Sequence, residues 1–355
     1  MRIIIDAMGG DNAPGAIVRG AVLALQEMDI SLTLVGDEAA VRRELALCGA
    51  TEQVGQRITL VHAEQILTME DEPFDVLRKK RNSSMAIGLR SLADGEGDAF
   101  VCAGNTGALL TGATTYVRPH RGIRRAAIGT ILPFERPLLL LDSGANVTVV
   151  PEYLEQFAHL GVLYMQGIFQ NPHVEVGLLN NGTEAHKGPP VYAQTYQLLQ
   201  NSSLHFVGNI EGKDIPRGKC DVLVADGFTG NIALKLVEGM SRFALQKVKG
   251  LFFSNVATKM SAILFKKQFV DLKKEFDASE YGGAPFLGIS KPVIKAHGSS
   301  DARAVKNAIR QAAAYLQSGI SDQIAAWAQQ YVRSDKIEAA QQPQPAETAE
   351  EQVHG

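Results

Sequence analysis

Short apolar runs alternate with helical patterns along the first half of the chain. Strand patterns occur at Arg2–Ile5, Leu32–Val35, Ile58–Val61 and Ala99–Cys102, with helical patterns between them at Gly15–Glu27, Glu38–Leu47 and Ser83–Leu92. The same pattern predicts further strands at Ala126–Leu132, Leu138–Leu141, Glu175–Leu179, Phe206–Gly208 and Asp221–Val224. This alternation is typical of a mostly parallel sheet covered by helices on both faces.

Two segments depart from this alternation. Lys247–Phe276 carries phenylalanines and leucines at helical spacing among lysines, which predicts a projecting amphipathic helical segment. Its apolar side favours a dimer interface or a core helix, and the alternative is an interfacial element that contacts anionic lipid. Ser334–Gly355 is rich in Gln, Glu, Ala and Pro, which predicts a disordered tail. We therefore expect one catalytic α/β domain over residues 1–333.

Composition narrows the class of protein. The 355 residues are 45% hydrophobic and 21% charged, which suits a globular protein with a full core. A formal net charge of -3 argues against a general nucleic-acid binder. The three cysteines are scattered and lack zinc-ligand spacing, and no segment has the pattern of a signal peptide or a membrane-spanning helix. We expect a cytoplasmic enzyme that uses no metal or cofactor.

Five turns rich in glycine and asparagine follow predicted strands. Ligands of parallel α/β sheets bind beyond the carboxyl ends of the strands, where backbone N–H groups and helix N-termini attract anions. The segments that contain the turns are Asp6–Pro14, Ala103–Ala108, Leu141–Val147, Asn181–Gly188 and Asp221–Lys235, the last with its strand and helix start. Helix capping alone is the alternative explanation for each. Five such turns in one sheet favour a shared anion site.

The same turns also raise two other site chemistries. The first turn lacks G-x-G-x-x-G, so a dinucleotide-binding dehydrogenase is disfavoured. Ser143 is not set in a G-x-S-x-G elbow, so anion binding is favoured over covalent catalysis there. Cys102 offers an acyl-cysteine intermediate, but its place at the end of an apolar run favours a buried structural thiol.

The turns and their flanks resemble the bacterial phosphate acyltransferase family, PlsX. The matching segments are DAMGGDNAP from Asp6, AGNTGA from Ala103, LDSGANV from Leu141, NGTEAHKG from Asn181, GNIEGKDI from Gly208, DVLVADGFTGNIALK from Asp221, EYGGAPFLGI from Glu280 and HGSS from His297. They span nearly all of Met1–Leu316. Asn181 departs from the family, where an apolar residue is usual before this GTE.

The resemblance implies a fold and an activity. The fold would be a three-layer α/β/α sandwich similar to phosphotransacetylases and to isocitrate/isopropylmalate dehydrogenases, commonly a homodimer. The activity would be transfer of a fatty acyl group from acyl carrier protein to inorganic phosphate. The acyl phosphate would serve a membrane glycerol-3-phosphate acyltransferase in phospholipid synthesis, so peripheral contact with the membrane is a further expectation.

Attack of phosphate on a thioester requires charge and alignment rather than strong acid catalysis, because a thiolate is a fair leaving group. We expect Ser143, Asn146, Lys187 and Asn231 to bind phosphate or the oxyanion. Asn105 and Thr106 are expected to line the same cleft. Further candidates for substrate binding are Asp6, Lys213, Gly227, Thr229, Gly230 and His297.

Acyl carrier protein is acidic, so basic stretches are candidate docking sites. Two occur, at Arg78–Arg81 and Arg118–Arg125. The alternative functions are a phosphotransacetylase that uses acyl coenzyme A and a non-catalytic ligand-binding or membrane-scaffold protein. Comparing acyl carrier protein with acyl coenzyme A as the donor discriminates between the enzymes.

Overall fold

The computed structural model describes residues 1–49, 51–134, 136–252, 265 and 281–341. In this part of the chain, eleven strands form one sheet. They are β1 (Arg2–Asp6), β2 (Ser31–Gly36), β3 (Ile58–His62), β4 (Ala99–Cys102), β5 (Ala127–Leu132), β6 (Leu138–Leu141), β7 (Glu175–Asn180), β8 (His205–Glu211), β9 (Val222–Val224), β10 (Ala284–Leu287) and β11 (Val293–Lys295).

Helices connect the strands and cover both faces of the sheet. They are α1 (Gly15–Glu27), α2 (Glu38–Leu47), α3 (Glu52–Gly55), α4 (Ser84–Ala93), α5 (Thr106–Gly112), α6 (Pro151–Phe169), α7 (Pro190–Asn201), α8 (Gly227–Phe252), α9 (Ala302–Gln317) and α10 (Ile320–Gln341). Short 3₁₀ turns lie at Pro73–Leu77 and Gly212–Arg217, and one π turn at Ala113–Val117 extends α5.

The sheet changes direction near its centre. The strand order is β3-β2-β1-β4-β11-β10-β5-β6-β9-β7-β8. The strands from β3 to β11 are parallel, whereas β10 is antiparallel to both of its neighbours. β5 is antiparallel to β6, and β6, β9, β7 and β8 are parallel to one another. The strands β6, β7, β8 and β9 therefore run in the opposite direction to β1, β2, β3, β4 and β11.

This reversal gives the sheet two rims. The carboxyl ends of β1, β4 and β11 lie at one rim, here the β1 rim. The carboxyl ends of β6, β7, β8 and β9 lie at the opposite rim, here the β6 rim. The five turns predicted to share one anion site are therefore divided between the two rims.

Alternating side chains of the strands build a core on each face of the sheet. On one face, β1 and β11 pack against α1 and α9, and β6 and β9 pack against α6, α7 and α10. On the other face, β4 packs against α4 and α5, while β6 and β9 pack against α8. The pairs Phe286–Ile128 and Thr130–Leu140 place α4, α5 and α8 on the same side, because directly paired residues share a face.

The two atypical segments are described only in part. Most of the predicted amphipathic segment Lys247–Phe276 lies outside the described residues, and its first part belongs to α8, which extends to Phe252. The final helix α10 continues past Ser334 to Gln341, so it includes the first residues of the predicted tail. Residues 342–355 lie outside the described part of the chain.

Candidate active site

The turn after β6 is organised around a buried carboxylate. Asp142 is fully buried, and its Oδ1 accepts hydrogen bonds from the backbone N–H groups of Gly144 at 3.0 Å and Ala145 at 2.9 Å. Its Oδ2 accepts from the backbone N–H of Asn146 at 2.7 Å. These are amides of the turn predicted to bind phosphate, and in the structure they bind the chain's own carboxylate.

Ser143 and Asn146 hold this turn in place. The Ser143 hydroxyl donates to the carbonyl oxygen of Ile128 at 3.0 Å and lies 2.7 Å from the Thr130 hydroxyl. The Asn146 side-chain amide donates to the carbonyl oxygen of Ala126 and to Asp142 Oδ2, both at 2.8 Å. The donors that were predicted to contact phosphate are thus occupied by structural hydrogen bonds.

The start of α8 is also closed by an internal carboxylate. Asp226 Oδ1 accepts from the backbone N–H groups of Phe228 and Thr229, both at 2.9 Å. Its Oδ2 accepts from the Thr229 hydroxyl at 2.7 Å and the Tyr192 hydroxyl at 2.5 Å. Burial alone would raise the pKa of Asp226, but these hydrogen bonds lower it below its ordinary value. Thr229 therefore serves the cap of α8.

Two glycines allow α8 to pack against the Asp142 turn. A β-carbon on Gly227 would lie 2.7 Å from the backbone nitrogen of Asn146. A β-carbon on Gly230 would lie 1.9 Å from the carbonyl oxygen of Asp142. Both predicted substrate-binding glycines are thus required by backbone packing.

Asn231 keeps an exposed side chain at the β6 rim. It lies above Gly144, since a β-carbon there would be 3.7 Å from Asn231 Oδ1. Lys187 is half-buried, and its side chain passes over Gly182 beside Glu184. Lys213 is exposed and forms an ion pair with Glu211 at 2.7 Å.

Asp6 and Cys102 lie beneath the turns at the β1 rim. Asp6 is buried, its Oδ1 accepts from the Met8 backbone N–H at 3.1 Å, and its Oδ2 accepts from the Cys102 thiol at 3.1 Å. Burial raises the pKa of Asp6, against the lowering effect of its hydrogen bonds. Burial first, and the neighbouring Asp6 charge second, raise the pKa of the Cys102 thiol well above its ordinary value. Asp6 is therefore inaccessible to substrate, and Cys102 is buried, as the apolar run that it ends predicted.

Asn105 caps α5 and anchors a neighbouring loop. Its Oδ1 accepts from the Ala108 backbone N–H at 3.0 Å. Its side-chain amide donates to the carbonyl oxygens of Met69 at 3.2 Å and Asp71 at 3.1 Å. Thr106 begins α5 with an exposed side chain. Asn105 is thus a structural link, whereas Thr106 remains accessible.

His297 and α8 bring charged groups from the two halves of the sheet together. The His297 turn follows β11, and its ring Nδ1 accepts from the Ser299 backbone N–H at 3.2 Å. Partial burial lowers the pKa of His297, and the charges of Glu238, Lys235 and Lys295 also act on it. The neutral ring therefore carries its proton on Nε2, where it can donate to an oxygen of a ligand.

Lys295 and Lys235 were not predicted as site residues. Lys295 is buried in β11, and its ammonium group donates to the carbonyl oxygens of Ala103, at 3.1 Å, and Ala296. Burial lowers the pKa of Lys295, and electrostatic interactions with nearby groups, Asp6 and Asp11 among them, partly oppose this effect. Lys235 is exposed on α8, 2.9 Å from Glu238. The available sequence signal for Lys295 was a charged residue between the apolar residues Ile294 and Ala296.

The described residues contain no group of three or more His, Cys, Asp or Glu side chains placed to hold a metal ion. None of the helices in the described ranges is long and apolar enough to cross a bilayer.

Comparison with known proteins places the chain in a family. The family model described as "Fatty acid synthesis protein" matches residues 1–323. The phosphate acyltransferase of Shouchella clausii is 42% identical over 327 residues, which cover 91% of this chain and 97% of the relative. That of Acetivibrio thermocellus is 42% identical over 326 residues, covering 91% and 95%. This chain belongs to the phosphate acyltransferase family. It is an acyltransferase, as the sequence motifs predicted.

The fold is similar to that of solved phosphotransacetylases. The Streptococcus pyogenes phosphotransacetylase superposes with a TM-score of 0.61 at 16% identity, covering 89% of this chain and 94% of the other. The Staphylococcus aureus phosphotransacetylase gives a TM-score of 0.57 at 16% identity with the same coverage. The predicted α/β class with a mostly parallel, helix-covered sheet is confirmed.

Proposed function

We propose that this enzyme transfers a fatty acyl group from acyl carrier protein to inorganic phosphate. The observation that carries the proposal is the cluster formed by Lys235, Lys295 and the neutral ring of His297. The charge of Lys235 on α8 acts on His297 in the β11 turn, and the buried Lys295 ammonium group donates to the carbonyl oxygen of Ala103. A phosphate ion needs compensating charge and hydrogen-bond donors, and this cluster supplies both. Family membership supports phosphate as the acceptor.

The reaction requires no covalent enzyme intermediate. A phosphate oxygen attacks the thioester carbonyl carbon, the carbon–sulfur bond breaks, and the electron pair leaves with the carrier thiolate. The products are acyl phosphate and the free thiol of the carrier, which takes up a proton from solvent. The high pKa of Cys102 supports this direct route, because a buried thiol is a poor nucleophile.

In this proposal, accessible side chains contact the reacting groups. Lys235 neutralises phosphate, and His297 donates from Nε2 to the carbonyl oxygen as negative charge develops on it. Asn231 at the β6 rim and Thr106 at the β1 rim keep exposed side chains for substrate, and Lys187 remains a predicted phosphate contact. Six other residues hold the turns in shape, because their side chains form internal hydrogen bonds or their backbones pack closely. They are Ser143, Asn146, Asn105, Thr229, Gly227 and Gly230.

The test is phosphate-dependent release of the carrier thiol from long-chain acyl carrier protein, with acyl coenzyme A as the competing donor. The Lys235→Ala variant should raise the KM for phosphate by about ten-fold, because a charge-assisted contact contributes ~1.5–3 kcal/mol. Lys249→Ala, farther along the same helix and exposed, is the matched control. Turnover with acyl coenzyme A alone would identify a phosphotransacetylase instead, and equal phosphate kinetics in both variants would remove Lys235 from the site.

We also propose that two copies pair through α8. Five apolar side chains, 52–64% exposed, recur at helical spacing along one side of α8: Phe228, Ile232, Leu236, Met240 and Phe243. A stripe of this kind is costly in water and is typical of helix–helix contact. Sedimentation of wild type and a Leu236→Lys/Met240→Lys variant should give a dimer and a monomer, respectively. A monomeric wild type would contradict this.

The proposed function has two further parts. The enzyme is cytoplasmic and contacts the membrane peripherally, and it delivers acyl phosphate to a membrane glycerol-3-phosphate acyltransferase. Sedimentation of the wild type with liposomes tests the membrane contact, and failure to pellet with anionic vesicles would oppose it.

A further inference from the structure

A basic and partly apolar surface lies beside the candidate site. Residues between β3 and α4 expose both kinds of side chain. We name as the basic loop surface the side chains of Ile66, Met69, Phe74, Arg78, Lys79 and Arg81. Next to it is a cavity of about 440 Å³, lined by Gln65, Arg78, Lys79, Arg81, Asn82 and Arg90. Every residue that lines this cavity is polar, and four are cationic.

Most of the positive charge in the cavity lacks an acidic partner. Among the described residues, no carboxylate lies within ion-pair distance of Arg78, Arg81 or Arg90, and Lys79 is 3.4 Å from Asp75. The chain as a whole carries a net charge of -3. The cavity is therefore a local positive site on an acidic protein, which attracts an anionic partner within about 10 Å of it.

Two of the guanidinium groups are held in position. Arg90 Nη1 donates to the carbonyl oxygen of Arg81 at 2.7 Å, and its guanidinium lies 5.8 Å from the ring centre of Tyr116. The Arg78 guanidinium lies 5.8 Å from the ring centre of Phe74. A guanidinium group that is already held in position loses less conformational entropy on binding a carboxylate than a mobile one does.

The same loop contacts the turns of the β1 rim. The Asn105 side chain donates to the carbonyl oxygens of Thr68, Met69 and Asp71. The terminal carbon of Met69 lies 2.7 Å from the position of a β-carbon on Gly298, which follows His297. A partner bound to the basic loop surface is therefore beside the α5 and β11 turns.

We propose that the basic loop surface docks the acidic protein that carries the acyl thioester. Exposed arginine, methionine and phenylalanine side chains are typical of protein interfaces. On the basic loop surface, the apolar residues Ile66, Met69 and Phe74 are 41–59% exposed. The four cations line one concavity, so carboxylates grouped on one face of an acidic protein can reach them together. This inference rests on the proposed function, because it takes the donor to be acyl carrier protein.

The test compares two double charge reversals. Arg78→Glu/Arg81→Glu removes the docking charge, and Arg42→Glu/Arg43→Glu makes the same charge change on exposed residues of α2, which covers the opposite face. KM is measured for acyl carrier protein, for acyl coenzyme A as a thioester without the protein, and for phosphate. Binding of acyl-free carrier protein is measured separately by calorimetry, and a melting curve checks that each variant is folded.

The docking variant should raise the KM for acyl carrier protein by about ten-fold or more and weaken binding of the free carrier, mainly at low salt. Its KM values for acyl coenzyme A, where that donor is used, and for phosphate should match those of the control. Unchanged carrier binding and KM in the docking variant would overturn the inference while leaving the proposed function intact. Equal loss with every substrate would also overturn it, since the surface would then serve the site itself.

Two further outcomes distinguish failure of the proposed donor from failure of the docking inference. A wild type that uses only acyl coenzyme A refutes the proposed donor, and carrier binding by calorimetry still decides the docking surface. If the docking variant keeps its carrier KM but no longer sediments with phosphatidylglycerol vesicles, the surface binds lipid and the docking inference fails.

Discussion

Gly230 faces the carbonyl oxygen of Asp142 so closely that a β-carbon on residue 230 would lie 1.9 Å from it. This contact fixes the first turn of α8 against the turn after β6. It places Asn231 above Gly144 and sets the direction in which α8 carries Lys235 toward His297. The packing of this glycine thus fixes the first turn of α8, which lies one turn before Lys235.

The Gly230→Ala variant should therefore be destabilised and inactive. An added methyl group must displace backbone, which costs about 1–3 kcal/mol or more. Gly239→Ala is the control on the same helix, because no atom lies within 4 Å of the position of its β-carbon. There, alanine should stabilise the helix by roughly 0.5–1 kcal/mol. Urea unfolding and turnover measure both, and similar unfolding free energies for the two variants would contradict the packing argument.

Cys102→Ala should retain turnover. The thiol is buried, protonated and bonded to Asp6, so the variant loses a structural hydrogen bond and no nucleophile. The measurements are kcat with acyl carrier protein and the intact mass of wild type during turnover, which should show no acyl adduct. Loss of turnover in a folded variant, together with an acyl adduct on the wild type, would establish an acyl-cysteine step instead.

His159 should make the protein sensitive to mild acid. Its ring stacks on Trp327 with centroids 4.7 Å apart, and burial lowers its pKa from 6.5 to about 4. The unfolded chain binds the proton first, so this contribution to stability is present above pH 6.5 and lost as the pH falls toward 4. The full effect is roughly 3 kcal/mol.

The unfolding free energies of wild type and His159→Phe at pH 7 and pH 4.5 measure this effect. The wild type should lose more stability than the variant over that interval. His173→Gln, at an exposed position, should behave like wild type. Parallel pH dependences for all three proteins would show that His159 is not the titrating group.

Local patterns along the chain predicted most strands of the first half and the turns that follow them. The runs at Leu138–Leu141 and Ala99–Cys102 became strands with the predicted bounds, because each is too apolar to lie anywhere but in the core. The strands Ala284–Leu287 and Val293–Lys295 were not predicted. They are three or four residues long, and their positions between β4 and β5 depend on contacts distant in sequence.

The candidate site was harder to predict than the fold. Ser143 and Asn146 have side chains suited both to an anion and to a turn, and only three-dimensional contacts reveal that they bind Ile128 and Ala126. The reversal at β10 separates turns that look equivalent in sequence. The electrostatic effect of Lys235 on His297 depends on the path of α8, which local periodicity does not determine.

The central position of β10 and β11 has a consequence for synthesis of the chain. β4 and β5 are translated early, but the strands that separate them begin about 150–160 residues after β5 ends. At ~5–20 residues per second, the ribosome leaves the inner edges of β4 and β5 without their partners for roughly ten to thirty seconds. Unpaired strand edges recruit other chains, so the nascent protein is most prone to aggregate during this interval.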